Sequence, residues 1–136
     1  MEIRNFINGN FIDSISKSKI EVINPSNQEL VGKIDEALDS EIDLAFSSAR
    51  TAYKNRLWLD ISARDKSKIM RDIASKLRKY KKQGGKLLSS ENGKTISQCE
   101  GEFEGAANTF DYYAGMTDKI ENKVIPSGSD TFNYVV

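Results

Sequence analysis

The chain has 136 residues, 38% of them hydrophobic and 29% charged, which suits one domain with a modest core and excludes a disordered segment. Twenty basic residues balance twenty acidic ones, so there is no net field to argue for nucleic acid or an anionic membrane as partner. With no histidine and a single cysteine, the chain offers no imidazole base, no His-type metal site, no internal disulfide and no all-cysteine zinc site.

The polar N-terminal stretch predicts neither a secretory signal nor a membrane span, and a cytoplasmic location is the expectation. Two hairpins follow. Phe6-Ile7 and Phe11-Ile12 flank Asn8-Gly9-Asn10, and Asn-Gly accepts the positive φ angles of a tight hairpin turn. Ile20–Ile23 and Leu30–Ile34 bracket Asn24-Pro25-Ser26-Asn27, where proline presets φ and removes a donor at the end of strand pairing. From Ser40 the period becomes helical. Ser40 and Asp43 suggest a capping box, and Ile42, Ala45, Phe46, Ala49, Ala52 and Tyr53 share one face. Trp58 is expected to pack after this helix.

Ser62 opens a second helix with Ile69, Ile73, Leu77 and Tyr80 on its inner side. Gly84-Gly85 should end or kink it, since each glycine costs about 1 kcal/mol of helix propensity. A helical turn through Leu87 and Leu88 then stops at Gly93, placed as a C-cap. Ser97 with Glu100 marks the start of a third helix that turns Phe103, Ala106, Ala107, Phe110, Tyr113 and Ala114 inward. The tail from Val124 to Val136 reads as extended strand.

Several features imitate chemistry. Gly93-Lys94-Thr95 resembles the end of a phosphate-binding loop, but the required first glycine would fall at position 88, which is Leu88, and no strand precedes it. Gly101 and Gly105 are spaced for close contact with a neighbouring helix. Cys99 is flanked by Glu100 and Glu102, which oppose thiolate formation, so it reads as a packing residue. The basic run from Lys76 to Lys86 reads as a solvated helix face, and Glu100, Glu102 and Glu104 as surface or local structural groups.

In order and spacing the chain resembles the N-terminal part of the NAD(P)-dependent aldehyde dehydrogenases. The resemblance is carried by Phe6-Ile7-Asn8-Gly9 with Phe11, Val22-Ile23-Asn24-Pro25, the Ala45 to Tyr53 helix and Trp58. It continues through Ser62-Ala63, Glu91-x-Gly93-Lys94, Tyr112-Tyr113-Ala114-Gly115, and Ile125-Pro126 with Tyr134. Departures are Lys66 where the family usually has arginine, Gly84-Gly85 in place of helix formers, and Met116 where many members carry tryptophan.

The resemblance implies an α/β family fold, here truncated. This chain would supply two N-terminal β-hairpins, three main helices and a C-terminal strand, an α+β-like arrangement without the Rossmann-type parallel sheet. Residues 1–120 would be the hairpin and helical part of the nucleotide-binding domain, and 121–136 the start of a strand arm used in oligomer assembly. Family members oxidise an aldehyde with NAD or NADP, using a cysteine nucleophile, an oxyanion hole and a glutamate base, all expected downstream of Val136. No residue here is therefore assigned as catalytic or cofactor-binding, and neither NAD nor NADP is expected to bind this chain alone. One carry-over is implied: Glu102 as the acidic ligand of a structural cation, with the backbone carbonyls of Val22 and Ile23. Homo-oligomers are the implied partners, with no nucleic acid and no membrane. The expected role is an aldehyde dehydrogenase N-terminal segment, inactive alone; the alternative is a non-catalytic assembly module that pairs with a separate remainder or a full-length relative.

Overall fold

The computed structural model describes residues 1–135. Five short strands come first: β1 (Glu2–Ile3), β2 (Asn5–Ile7), β3 (Asn10–Ile12), β4 (Lys19–Ile23) and β5 (Leu30–Asp35). Three helices follow, α1 (Asp39–Lys54), α2 (Ala63–Asn92) and α3 (Ile96–Ala114), and then β6 (Lys123–Ile125) and β7 (Asn133–Val135). Small sheets and three helices make the expected α+β arrangement, without a Rossmann-type sheet among the described residues.

Both expected hairpins form. β2 and β3 pair with Phe6 opposite Phe11, across a turn in which Asn8 and Gly9 both have positive φ (51° and 78°), as a two-residue hairpin loop requires. β4 pairs antiparallel with β5, with a register shift between Val22 and Ile23. The hairpin expectation misses one element: β1 lies parallel to β5 on its other edge, Glu2 opposite Lys33. Gly32 admits it, because a Cβ there would stand 2.8 Å from the Met1 carbonyl oxygen.

The helical boundaries need three corrections. α1 starts earlier than the Ser40–Asp43 pair implies. Its N-cap is Leu38, whose amide donates to Glu41 Oε2 at 2.8 Å; a carboxylate three residues on thus takes the N-cap amide, the half of a capping box that needs no polar cap side chain. α3 likewise starts earlier, at Ile96, with Thr95 rather than Ser97 as its N-cap and Gln98 as the reciprocal partner in a capping box. The larger correction concerns Gly84-Gly85. α2 runs unbroken for 30 residues through both glycines, about 45 Å at 1.5 Å per residue. The glycines are contact points rather than breaks: the Phe103 ring covers Gly84, and the Glu100 backbone lies against Gly85. Burial of that contact offsets the propensity loss.

α2 and α3 form an antiparallel helix hairpin that holds most of the core. Ala74, Cys99, Ala107 and Ala114 are buried in it, and Ser67 Oγ donates to the Ala114 carbonyl at 2.7 Å. Because these buried residues are small, the core is thin. The aliphatic stripe expected to face inward on α2 lies outside this seam, with Ile69, Ile73 and Tyr80 exposed. On α1 the apolar face points largely to solvent, with Phe46 66% and Tyr53 74% exposed. β6 and β7 pair with each other, and Val124, Phe132 and Tyr134 remain exposed.

Candidate functional site

Charge concentrates on the α2–α3 seam. The Arg78 guanidinium spreads across three α3 side chains: Nε to Glu104 Oε1 at 2.9 Å, Nη1 to Asp111 Oδ2 at 2.7 Å and Nη2 to Asn108 Oδ1 at 2.8 Å. Lys81 Nζ reaches the other Glu104 oxygen at 3.3 Å. These cations, Arg78 first and Lys81 second, hold the Glu104 carboxyl below the usual glutamate range. With each oxygen held by a cation from α2 and the ionised form favoured, this carboxylate ties α3 to α2, the structural role expected of it. The basic run is thus only partly a solvated face, since two of its cations cross to α3.

The phosphate-loop lookalike becomes a helix stop. Gly93 caps α2 in the left-handed region (φ 77°), its amide donating to the Ser89 carbonyl. The Lys94 amide donates to Asn92 Oδ1 at 2.9 Å, and the Ser89 hydroxyl donates to the Lys94 carbonyl at 2.6 Å. Both backbone amides that could cradle a phosphate are already occupied. The Lys94 ammonium sits on Glu102 Oε1, and this partner raises its pKa above the ordinary lysine value.

The residues of the implied cation site fall on two elements. Glu102 lies on α3 in that ion pair, while Val22 and Ile23 lie on β4 at the register shift. Among the described residues no group of three or more His, Cys, Asp or Glu side chains could hold a metal ion. Pro25, just beyond Val22 and Ile23, packs on Gly93: a Cβ on that glycine would be 3.0 Å from the proline ring. Cys99 is fully buried, as its packing role predicts, with its thiol facing Asn92 Oδ1 at 4.0 Å. Gly101 and Gly105 depart from the close-contact expectation, since nothing lies within 4 Å of a Cβ at either.

One polar cluster is absent from the sequence expectations. Glu41, 3% exposed, accepts from the Leu38 amide, from Ser14 Oγ at 2.9 Å and from the Ile15 amide at 3.2 Å. Beside it the Ser14 amide donates to Asp35 Oδ2 at 3.2 Å, and Lys19 pairs with Asp35 Oδ1 at 3.4 Å. The Leu38 amide first, then the Ser14 and Ile15 donors, lower the Glu41 pKa against the opposing effect of desolvation. This cluster ties the end of β5 and the loop after β3 to the start of α1. A Glu at the third position of α1 is its one sequence signal, hidden because the N-cap is a leucine.

None of these groups forms a reactive constellation, and the identity of the chain rests on its pattern as a whole. The model of the aldehyde dehydrogenase family matches residues 11–136. The chain belongs to the aldehyde dehydrogenase family. It is 32% identical over 130 residues to an aldehyde dehydrogenase of Davidiella tassiana, an alignment covering 96% of this chain and 26% of that protein. It is 31% identical over 122 residues to the betaine aldehyde dehydrogenase of Bacillus subtilis (strain 168), covering 90% of this chain and 25% of that one. Among solved structures, an aldehyde dehydrogenase from Bacillus cereus superposes with a TM-score of 0.90 at 27% identity, over 98% of this chain and 28% of that chain. A Staphylococcus aureus betaine aldehyde dehydrogenase in complex with NAD+ gives 0.87 at 28% identity, over 93% and 26% respectively. The chain therefore spans about a quarter of the length of the aldehyde dehydrogenases it matches, corresponding to their N-terminal quarter. No described helix is long and apolar enough to cross a membrane.

Proposed function

We propose that these residues form the N-terminal hairpin-and-helix layer of an enzyme that oxidises an aldehyde to a carboxylic acid with NAD+ or NADP+. By themselves they carry no step of that reaction and hold no nicotinamide cofactor. The observation behind this reading is the family match over residues 11–136, set beside a fold whose sole thiol, Cys99, is sealed in the helix seam. A nucleophilic cysteine needs access and a thiolate-favouring neighbour. The purified chain, offered a panel of aldehydes with either nicotinamide cofactor, is expected to produce no reduced cofactor above a protein-free blank. Any turnover that survives repurification and responds to Cys99→Ser refutes this account.

Uncovered apolar stripes on α1 and α2 and the exposed β6–β7 hairpin support a companion role in docking. They would cover, or be covered by, the remaining part of the enzyme, a full-length relative, or further copies in a cytoplasmic homo-oligomer. Residues 121–136 are read as the start of the assembly arm. A second polypeptide carrying the rest of the enzyme should co-purify with this chain and lose that association when Phe46 and Tyr53 become serine. Retention of full association by that variant would remove α1 from the docking surface. The cation reading extends to Glu102 with the carbonyls of Val22 and Ile23. If it holds, raising sodium or potassium at fixed ionic strength should stabilise the protein more than Glu102→Gln, and equal responses would refute it.

A further inference from the structure

Near its middle, α2 neutralises two cations with α3 carboxylates: Arg78 with Glu104 and Asp111, Lys81 with Glu104. Its N-terminal end differs. Arg64 and Arg71 are seven residues apart, so they share one face of the helix. Among the described residues neither has a carboxylate within ion-pair distance. Together they line a cavity of about 260 Å³ between α2 and the turn that follows α3. The far wall carries Thr117, Asp118 and Lys119, and the single acid, Asp118, is already paired with Lys119 Nζ at 2.7 Å. Three cations against one acid leave a formal local charge of about +2.

The arginines are not needed to finish the end of α3. The Gly115 amide donates back to the Asp111 and Tyr112 carbonyls, and Ser67 and Thr117 hydroxyls both donate to the Ala114 carbonyl. Ser67 Oγ also lies 3.5 Å from Arg71 Nε, which orients that guanidinium while its two terminal nitrogens have no partner among the described residues. Two guanidinium forks around a concave space match the geometry of a tetrahedral oxyanion, which accepts paired, charge-assisted hydrogen bonds.

We propose that this cavity binds a phosphate group, with Arg64 and Arg71 as its primary ligands and Lys119 adding charge. Its lining includes none of Glu102, Val22 and Ile23, the site residues that the family resemblance implies, and the proposal does not depend on the function proposed above. The site is tested on the full 136-residue chain by following amide and arginine side-chain NMR shifts. Inorganic phosphate and glycerol phosphate are added separately, with sodium chloride at matched ionic strength as the control. Saturable shifts at Arg64, Arg71 and Lys119 are expected with phosphate and absent with chloride. Binding of inorganic phosphate alone would mark a free-anion site, while equal or tighter binding of glycerol phosphate would mark a phosphomonoester site. Removing one charge-assisted pair should weaken binding about tenfold, so Arg64→Gln and Arg71→Gln should each do so. Lys68→Gln, which removes a nearby charge without touching the cavity, should have little effect. Shifts that track ionic strength alone, or equal losses in all three variants, would overturn the proposal.

Discussion

Replacing single helical glycines by alanine should give opposite signs at sites that look alike in sequence. At Gly85 the new methyl would stand 2.7 Å from Glu100 Cγ, 3.1 Å from the Glu100 amide nitrogen and 3.3 Å from its Cα. The side-chain atom can swing away, but the backbone atoms cannot move without shifting α3. Overpacking of this kind costs about 1–3 kcal/mol, against a propensity gain of about 1 kcal/mol for alanine in a helix. Gly85→Ala should therefore destabilise by about 0–2 kcal/mol. At Gly101 and Gly105, where the added methyl meets open space, only the gain remains, about 0.5–1 kcal/mol each. Propensity cancels in the comparison, so the gap between Gly85→Ala and Gly101→Ala reads the clash directly. Urea midpoints followed by circular dichroism would measure it, with melting temperatures separated by about 3–5 °C per kcal/mol as a second readout. If Gly85→Ala stabilises as much as Gly101→Ala, the two helices are not in the contact described here. Gly84→Ala should behave like Gly85→Ala but be partly rescued by Phe103→Leu, because the atoms it meets belong to that ring.

Other perturbations test the turns and the buried carboxylates. Gly93→Ala places a side chain at φ 77° and against the Pro25 ring, and should cost about 1–2 kcal/mol in chemical denaturation, with Gly93→Asn costing less. Gly9→Ala meets no atom within 4 Å but keeps φ 78°; a loss of about 1–2 kcal/mol from backbone conformation alone is expected. Glu41 and Glu104 have folded-state pKa values below the ordinary glutamate value. Their contribution is therefore fully present above about pH 4.3 and lost as pH falls through the depressed folded values. Urea midpoints should stay flat from neutrality to about pH 5 and then decline, and Glu41→Gln should flatten the acid limb. An acid limb unchanged in that variant would show that Glu41 is not a contributor.

Local chemistry made much of this fold legible in the sequence. Asn8-Gly9 marked its hairpin because few other pairs tolerate two positive φ angles, and Ser62 and Gly93 marked the ends of α2 through cap bonds that depend on nearby residues. Gly84-Gly85 misled because helix propensity describes an isolated helix, whereas Phe103 and Glu100 come from another element. The α1 start was obscured by a leucine N-cap whose bond is supplied from Glu41. Apolar periodicity marked Ile69, Ile73 and Tyr80 as one stripe, yet the seam with α3 is built from Ala74, Gly84 and Gly85 and from Arg78, which no hydrophobic pattern reports. The Ser14–Glu41 cluster escaped notice for the same reason, its members lying 27 positions apart.

Glycine and arginine together make the α2–α3 pairing a keyed joint. Sliding α3 by one helical turn, about 5.4 Å, would carry the Phe103 ring from Gly84 to Tyr80 or Leu88, neither of which leaves a socket for it. The same slip would pull Glu104, Asn108 and Asp111 out of step with the three-pronged guanidinium of Arg78. Only one alignment satisfies both, so the ring in its socket and the guanidinium among its three acceptors together set the register of α3 on α2.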